Sequence, residues 1–408
     1  MKVLAIVPSF FGPTGDAINE RQLLMELAGK VKRCYIITFV GFKQIFTKRR
    51  AELKISLPKN VTLISFPLPQ IPILLACFSL IFSCFTSIIG LILDVLKRID
   101  LIYIRSSFLS IGFLTFRSLA RKTIVKIPAI IEDEIAGESI VKSFIGKLAS
   151  FTDRLVLAKA KRVAVNSRPF YYKLARRRSY KHEDTPLELP PGVDSKLIEK
   201  IKSKVDEEDL LKSSKKERHI VGFLGLIEWW QGVDTLVRSI AKLKYANLEK
   251  PVKLLLVGDG PEKRRIEDLC KKLKVDYEIT GFVDHEKALE YLKMFDVLVL
   301  PRYKISATEF IVPIKVIEAW ALGVPVIATR HEIYTFVGLR DKEDIIFCEP
   351  EPNNLAEKIL MILRDDELRK KLSKRGRQLA KEFNYDKMVT KLLNAFKDSG
   401  KNSSEALV

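Results

Sequence analysis

Short apolar runs and amphipathic stretches alternate along this chain in two successive series. The first series runs KVLAIVPSF (2–10), YIITFV (35–40), VTLISFP (61–67), LIYIRS (101–106), TIVKIP (123–128) and VAVNS (163–167), with helical material between several of them. The second runs HIVGFLG (219–225), VKLLLVG (252–258), DYEITGF (276–282), DVLVLP (296–301) and VPVIAT (324–329), each followed by a helical or loop segment. Such alternation implies parallel sheets covered by helices. Between the series, the turn-rich ELPPGVD and the charged KLIEKIKSKVDEEDLLKSSKKER mark a boundary. The expected fold class is α/β: two doubly wound domains facing each other across a cleft, with ligands bound where the carboxyl ends of the strands open into it.

The expected organisation is a first domain over 1–195, a charged connector over 196–218 and a second domain over 219–382. The amphipathic segment at 383–398 is read as a helix returning to the first domain, and 399–408 as a frayed tail. At 408 residues, 47% hydrophobic and 29% charged, the chain has the composition of a globular protein. Its net charge of +20 is uneven: up to Asp194 there are 30 Lys/Arg against 15 Asp/Glu, and beyond it 40 against 35. A basic half points to an anionic partner such as phosphate, nucleic acid or an acidic membrane surface, against the plainer reading of solvation by lysine. No aromatic–basic interleaving and no known module speaks for nucleic acid.

Five scattered cysteines without a C-x-x-C pair, and four histidines without ligand spacing, suggest neither a disulfide framework nor a metal site. A reducing, cytoplasmic compartment is expected. MKVLAIVPSFFGPTG opens directly on an apolar strand with no cleavage site, so no signal peptide is expected. Ile71 to Leu93 contains no charged residue. It reads as a membrane-spanning helix, a fully buried helix, or a helix lying on the membrane surface between the basic KQIFTKRRAELK and LKRID. Spanning would split the first domain, because LIYIRS still looks like one of its strands, and interfacial contact is preferred.

The stretch VPIKVIEAWALGVPVIAT (312–329) is almost wholly apolar yet carries Lys315 and Glu318. Pro313 suits the first turn of a helix, so the two charges would lie at i and i+3 near its positive end. Free amides, the helix dipole and an ammonium group form an anion site matched to a diphosphate. A carboxylate one turn deeper can accept hydrogen bonds from the vicinal hydroxyls of a ribose. The competing reading is a plain intrahelical ion pair worth about 0.3–0.5 kcal/mol. Two further strand–glycine–helix passages, FLGLIEWWQGVDTLVRSI (223–240) and LLLVGDGPEKRRIEDLCKKL (254–273), place glycines such as Gly225 at strand exits, where the backbone can approach a ligand.

In order and spacing, VGDGPEKRRIEDL, TGFVDHEKALEYLKMFDVLVLP and PIKVIEAWALGVPVIAT resemble the nucleotide-binding domain of family 4 glycosyltransferases with the GT-B fold of two Rossmann-like domains. VNSRP, PPGVD, FNYDKM and the opening glycine loop fit as well. The likeness covers nearly the whole chain and is strongest in the second domain. It implies a retaining, nucleotide-sugar-dependent, metal-independent hexosyltransferase with no cofactor and a donor of UDP or GDP type. Lys315 and Glu318 are the implied catalytic pair, with Glu318 on the donor ribose and Lys315 in a P-x-K-x-x-E variant. Gly281 and Phe282 match the loop beside the base, and Gly15 the first-domain loop facing the donor phosphates. Gly225, Gln231, Phe310, Ile311 and Pro313 complete the donor-binding set.

Departures accompany the match. Leu226 and Gln231 stand where the family commonly has Arg and Lys on the diphosphate, so Lys315 is left with that charge, aided by amides around Ile311 to Ile314 and by Arg302 or Lys304. Phe310 stands where an acidic residue often meets the donor sugar, with Glu309 one step away, and Pro128 replaces the usual first-domain histidine. Glu132, Asp133 and Glu134 are read as acceptor-side carboxylates, against a solvated acidic turn, and Arg176 to Arg178 as surface or membrane-facing. Of Trp229 and Trp230, one is expected in the core and the other free to stack on a sugar or acceptor. The leading function is sugar transfer to a saccharide, a lipid or a lipid-linked saccharide at the cytoplasmic face of the cell membrane, by a peripheral enzyme on an anionic surface. A non-catalytic donor-binding subunit and a nucleotide-sugar epimerase are the alternatives.

Overall fold

The computed structural model describes residues 1–8, 10–12, 14–41, 57–68, 72–134, 140–181, 185–211, 217–244, 246–306 and 308–398. Two parallel sheets organise them. The first contains β1 (Lys2–Val7), β2 (Arg33–Gly41), β3 (Val61–Leu68), β4 (Leu101–Ile104), β5 (Thr123–Lys126), β6 (Arg162–Val165) and β7 (Leu187–Glu188), in the order β3-β2-β1-β4-β5-β6-β7. The second contains β8 (His219–Leu224), β9 (Val252–Val257), β10 (Tyr277–Ile279), β11 (Val297–Leu300), β12 (Val326–Thr329) and β13 (Ile346–Cys348), in the order β10-β9-β8-β11-β12-β13. Val3 lies opposite both Cys34 and Leu101, and Val221 opposite both Leu254 and Val297. The strand order therefore reverses between β1 and β4, and again between β8 and β11. In open α/β sheets such reversals are where ligand crevices form.

The helices joining the first sheet are α1 (Gly15–Lys30), α2 (Pro72–Val95), α3 (Ser107–Thr115), α4 (Arg117–Ala120), α5 (Ile131–Glu134), α6 (Ile140–Lys159) and α7 (Arg168–Arg177). Those of the second are α8 (Ser195–Leu211), α9 (Val233–Leu243), α10 (Lys263–Lys272), α11 (His285–Met294), α12 (Ile314–Leu322), α13 (Glu332–Phe336), α14 (Pro352–Arg364) and α15 (Asp366–Ala380), and α16 (Tyr385–Lys397) ends the series. Every residue of β4, β11 and β12 is buried, as expected for parallel strands covered on both faces. VNSRP encodes a helix start: Ser167 caps α7 by accepting from the Phe170 amide, and Pro169 follows inside the first turn.

The chain divides into two units. One holds Ala17–Pro190 and the first residues up to Gly12, and takes back the chain from Tyr385; the other is mainly Pro191–Asn384. Tyr385, Met388, Val389 and Leu392 of α16 join the first core, beside Val3, Leu24 and Leu27. The charged connector expected over 196–218 begins as helix α8, whose Ile198 and Ile201 are buried in the second core. Two short strands, β7, which ends on the first residue of ELPPGVD, and β13, have too few residues to register as periodic pattern. From Pro72 on, the run at 71–93 is helix α2, and Ile71 and KQIFTKRRAELK lie outside the described residues.

Candidate functional site

Three chain segments meet at the β8/β11 reversal: the exit of β8 through Gly225, the exit of β11 through Pro301 and Arg302, and the start of α12. Pro313 is the cap of α12 rather than its first helical residue, with φ −64° and ψ 141°. Lys315 and Glu318 therefore fall at the second and fifth helical positions, both on the buried part of the helix at 8% and 3% exposure.

They do not pair with each other. Lys315 Nζ is buried and has no hydrogen-bond partner among the described residues. It lies 4.8 Å from the centre of the Phe223 ring. Burial first, and then the neighbouring charge of Arg302, hold its pKa well below the usual lysine value, against a smaller pull from Glu318. Gly225 makes room for it. At φ 127° this glycine occupies backbone space that side-chain-bearing residues avoid, and a Cβ there would come within 2.4 Å of Nζ. By contrast, a Cβ on Gly258 would lie 2.0 Å from the Gly225 carbonyl oxygen and one on Gly232 1.9 Å from that of Pro301. Those two glycines let neighbouring backbone approach.

Arg302 is the second cation here, held by the Gln231 side chain, whose Oε1 accepts from Arg302 Nε at 3.0 Å. Its guanidinium stands 5.3 Å from the centre of the Trp230 ring. Burial lowers its pKa, and neither Arg302 nor Lys315 has a carboxylate partner among the described residues. Lys304 is turned instead toward Glu349, at 3.9 Å. Leu226 is half exposed. Gln231 thus orients an arginine from another strand.

Glu318 is engaged by a residue the sequence reading missed: His285 Nε2 lies 2.6 Å from its Oε1. His285 is the first residue of α11, after the cap Asp284, whose Oδ1 accepts from the Lys287 amide. It closes the loop that carries Gly281, at φ 70°, and the exposed ring of Phe282. TGFVDH contains the signal, a histidine at a helix start directly after the loop of Gly281 and Phe282. Glu309 is occupied elsewhere: it accepts from the Glu332 amide at 2.9 Å and sits 3.1 Å from His331 Nδ1. Phe310 and Ile311 lie half-buried in the loop before Pro313.

Neither tryptophan is in the core. Trp229 is 54% exposed and stacks on Tyr303, while Trp230 lies half-buried under Arg302.

Gly15 opens α1 and is grouped with the second unit, while the helix from Ala17 onward belongs to the first. Glu132 takes a two-pronged contact from Arg178, at 2.7 and 2.9 Å, and the same guanidinium reaches Asp153 at 2.8 Å. Asp133 pairs with Arg177 at 2.6 Å and Lys173 at 3.3 Å. Both carboxylates are thus bound into ion pairs that tie α5 to α6 and α7, and the side chain of Glu134 lies outside the described residues. Arg178, expected at the surface, is only 4% exposed because Glu132 and Asp153 compensate its charge. The Pro128 carbonyl accepts from Asn166 Nδ2 at 2.9 Å. At the β1/β4 reversal, buried Glu20 gathers Lys126 at 2.8 Å, Arg105 at 3.1 Å and the Tyr103 hydroxyl at 2.9 Å. No group of three His, Cys, Asp or Glu that could hold a metal occurs among the described residues.

Residues 205–379, most of the second unit, match the family model for glycosyl transferases group 1. The second unit is thus similar to glycosyl transferase group 1 domains. N-acetyl-alpha-D-glucosaminyl L-malate synthase of Bacillus anthracis is 29% identical over 168 residues, which are 41% of this chain and 42% of that protein. The chain spans half or less of the length of the curated relatives it matches first. Over the whole fold, sucrose-phosphate synthase of Thermosynechococcus elongatus superposes with a TM-score of 0.71 at 20% identity, covering 97% of this chain and 98% of that one. HepE of Anabaena, solved with UDP, gives 0.68 at 16% identity, covering 97% and 100%. The fold is GT-B. In this second unit the two uncompensated cations, the α12 amides and Glu318 all gather at the strand-order reversal.

Proposed function

We propose that the chain is a retaining, metal-independent glycosyltransferase. It moves a hexosyl group from a UDP- or GDP-sugar to a lipid or lipid-linked saccharide at the cytoplasmic membrane face. The observation that carries this reading is the pair Lys315 and Arg302, two cations without a counter-ion beside a helix N-terminus, a site that is complete only with an anion.

The chemistry follows from that charge. Breaking the bond between the anomeric carbon and the diphosphate leaves positive charge on the sugar ring and negative charge on the departing phosphate. Lys315 Nζ, the Arg302 guanidinium and the free amides at the start of α12 are fixed donors for that developing charge, placed where little solvent screens them. Bound diphosphate also offsets the burial that disfavours the charged form of Lys315. Glu318 keeps one oxygen on His285 and offers the other to the donor ribose. The acceptor hydroxyl gives its proton to the leaving phosphate oxygen on the same face as it attacks, so this step uses no protein base. Gln231 is a positioning residue that aims Arg302.

Thermal unfolding with UDP-, GDP- and ADP-sugars, beside Glu318→Ala, tests the donor site. Ligand at about 100 times its dissociation constant adds roughly 2.7 kcal/mol. A shift with one nucleotide class, lost in the variant, is expected. No shift with any of them would refute the donor reading. Donor turnover with and without acceptor then distinguishes a transferase from a donor-binding subunit, the reading that the half-exposed Leu226 in place of a family cation favours.

A further inference from the structure

Helix α2 has its polarity reversed. Ser79, Ser83, Thr86 and Ser87 are buried, at 9% exposure or less, whereas Ile81, Phe85, Ile88, Ile92 and Val95 are 50–80% exposed. The exposed positions, with Phe78, recur at alternating spacings of three and four residues and form one continuous stripe along the helix. A helix on the surface of a water-soluble domain does the opposite, turning its apolar stripe inward.

The inward face is tightly built. Ser83 Oγ donates to the Leu109 carbonyl at 2.7 Å and accepts from the Gly112 amide at 2.8 Å. A Cβ on Gly112 would meet the Ser83 carbonyl oxygen at 2.4 Å, and one on Gly90 the Phe113 ring at 2.7 Å. Small residues thus bring α2 and α3 into close contact, and Phe82 enters the first core beside Ile37 and Phe39. With one face committed to the protein along this length, α2 cannot be surrounded by lipid as a spanning helix is.

Cations border one end of the stripe. Lys97, at φ 50°, ends the helical path, and Lys97 and Arg98 are both exposed. Arg117 and Arg121 are exposed on and just after α4, whose Leu119 borders α2 at Gly90. None of the four makes an ion pair among the described residues, and the nearby Asp94 is held by Lys122 at 2.5 Å.

We propose that this face docks in the plane of an anionic phospholipid bilayer, with the stripe among the acyl chains and the four cations at the headgroups. The proposal rests on the membrane-face reading of the acceptor and adds which face of α2 docks and which cations meet the headgroups. A second copy is the poorer occupant, because pairing the stripe with itself would leave the four cations at its end without an anionic partner. A bilayer satisfies both parts, since apolar area drives insertion and each basic residue near an anionic surface adds about fivefold in partition.

The test is vesicle co-sedimentation of the full chain, with phosphatidylcholine alone and with phosphatidylcholine plus phosphatidylglycerol. The wild-type protein should bind the anionic vesicles and bind the neutral ones far more weakly. The double substitution Ile88→Glu with Ile92→Glu should lower partition by about tenfold or more. Arg98→Ser with Arg117→Ser should weaken binding to anionic vesicles only. As an independent readout, a solvent-sensitive dye on the exposed Cys84 of α2, with Cys77→Ser, should report an apolar surrounding on vesicle addition. The donor-induced thermal shift, read in parallel, should be the same in all variants, so loss of docking is distinguished from loss of the donor site. Wild-type protein that ignores anionic vesicles, or Glu variants that bind like wild type, would overturn the proposal. So would a concentration-dependent dimer that the same two substitutions abolish.

Discussion

Replacing Lys315 by methionine should strengthen the empty protein and cripple donor binding. The side chain is 8% exposed and its Nζ has no hydrogen-bond partner. An uncompensated buried ion costs several kcal/mol in real proteins, and the Phe223 ring 4.8 Å away returns about 2 kcal/mol at most. Methionine keeps the length and apolar stem of lysine and removes the charge, so the net gain should be about 1–2 kcal/mol. For a unit of this size that raises the unfolding midpoint by roughly 3–6 °C. Donor should respond in the opposite direction. A hydrogen bond to a charged group contributes about 1.5–3 kcal/mol, so affinity for the nucleotide diphosphate should fall roughly 10- to 150-fold.

The pH dependence gives the argument a second check. Because the folded pKa of Lys315 lies below its unfolded value of 10.5, the folded state binds fewer protons between the two. The burial penalty is complete below the folded pKa and gone above 10.5, so apo-protein stability should rise with pH through that window. The advantage of Lys315→Met should shrink over the same window. Calorimetry of both proteins, with and without nucleoside diphosphate, measures all three quantities. A variant less stable than wild type, or one that binds diphosphate undiminished, would refute the account of Lys315 as an anion-seeking buried cation.

Gly225→Ala should also impair binding, because the new Cβ would meet Lys315 Nζ at 2.4 Å on a backbone at φ 127°; isothermal titration should show weaker donor affinity together with a lower unfolding midpoint. Leu226→Arg restores a cation to the family position on an exposed side chain, so stability should change by no more than about 0.5 kcal/mol while diphosphate affinity rises; unchanged or weaker affinity would show that this loop does not face the phosphates. His331 is 2% exposed, and burial first, aided by Arg302 and Lys304 and opposed by Glu309, lowers its pKa below 6.5. Its contribution is present above pH 6.5 and lost as pH falls toward the folded pKa, so acid unfolding should be steeper in wild type than in His331→Leu.

Much of this architecture is visible in sequence because parallel strands covered on both faces become unbroken apolar runs. β1, β4, β11 and β12 are such runs, and the two series mark the two sheets before any packing is known. Lys315 and Glu318 are visible for the converse reason, as charges inside a run that should have none. Their partners are not. His285 reaches Glu318 from another helix, and Gln231 orients Arg302 from another strand exit; both pairings exist only after β8 and β11 lie side by side. Glu309 shows the limit most clearly: one residue off the family position, its carboxylate turns to His331 and the α13 amides. The polarity of α2 is hidden for a related reason, since composition reveals an apolar segment and only packing reveals that its serines face inward.

Moving the cation from the β8 loop to the β11 exit has a consequence of its own. Electrostatic stabilisation of a diphosphate depends on charge, distance and local dielectric, and not on which strand supplies the residue. The strand-order reversal brings the β8 and β11 exits together, so an arginine lost from one side can be replaced from the other with the sheet unchanged. The replacement creates its own dependency. An arginine on the β8 loop would need no intermediary, whereas Arg302 must be aimed, and Gln231 Oε1 at 3.0 Å does the aiming from the position where a family cation is missing. Position 231 therefore carries an acceptor that orients a cation rather than a cation of its own. Putting lysine back there would set three cations together without an anion and remove the hydrogen bond that holds Arg302. The apo fold should lose about 1–3 kcal/mol, the cost of leaving a buried polar group unpaired, before any gain in binding is counted.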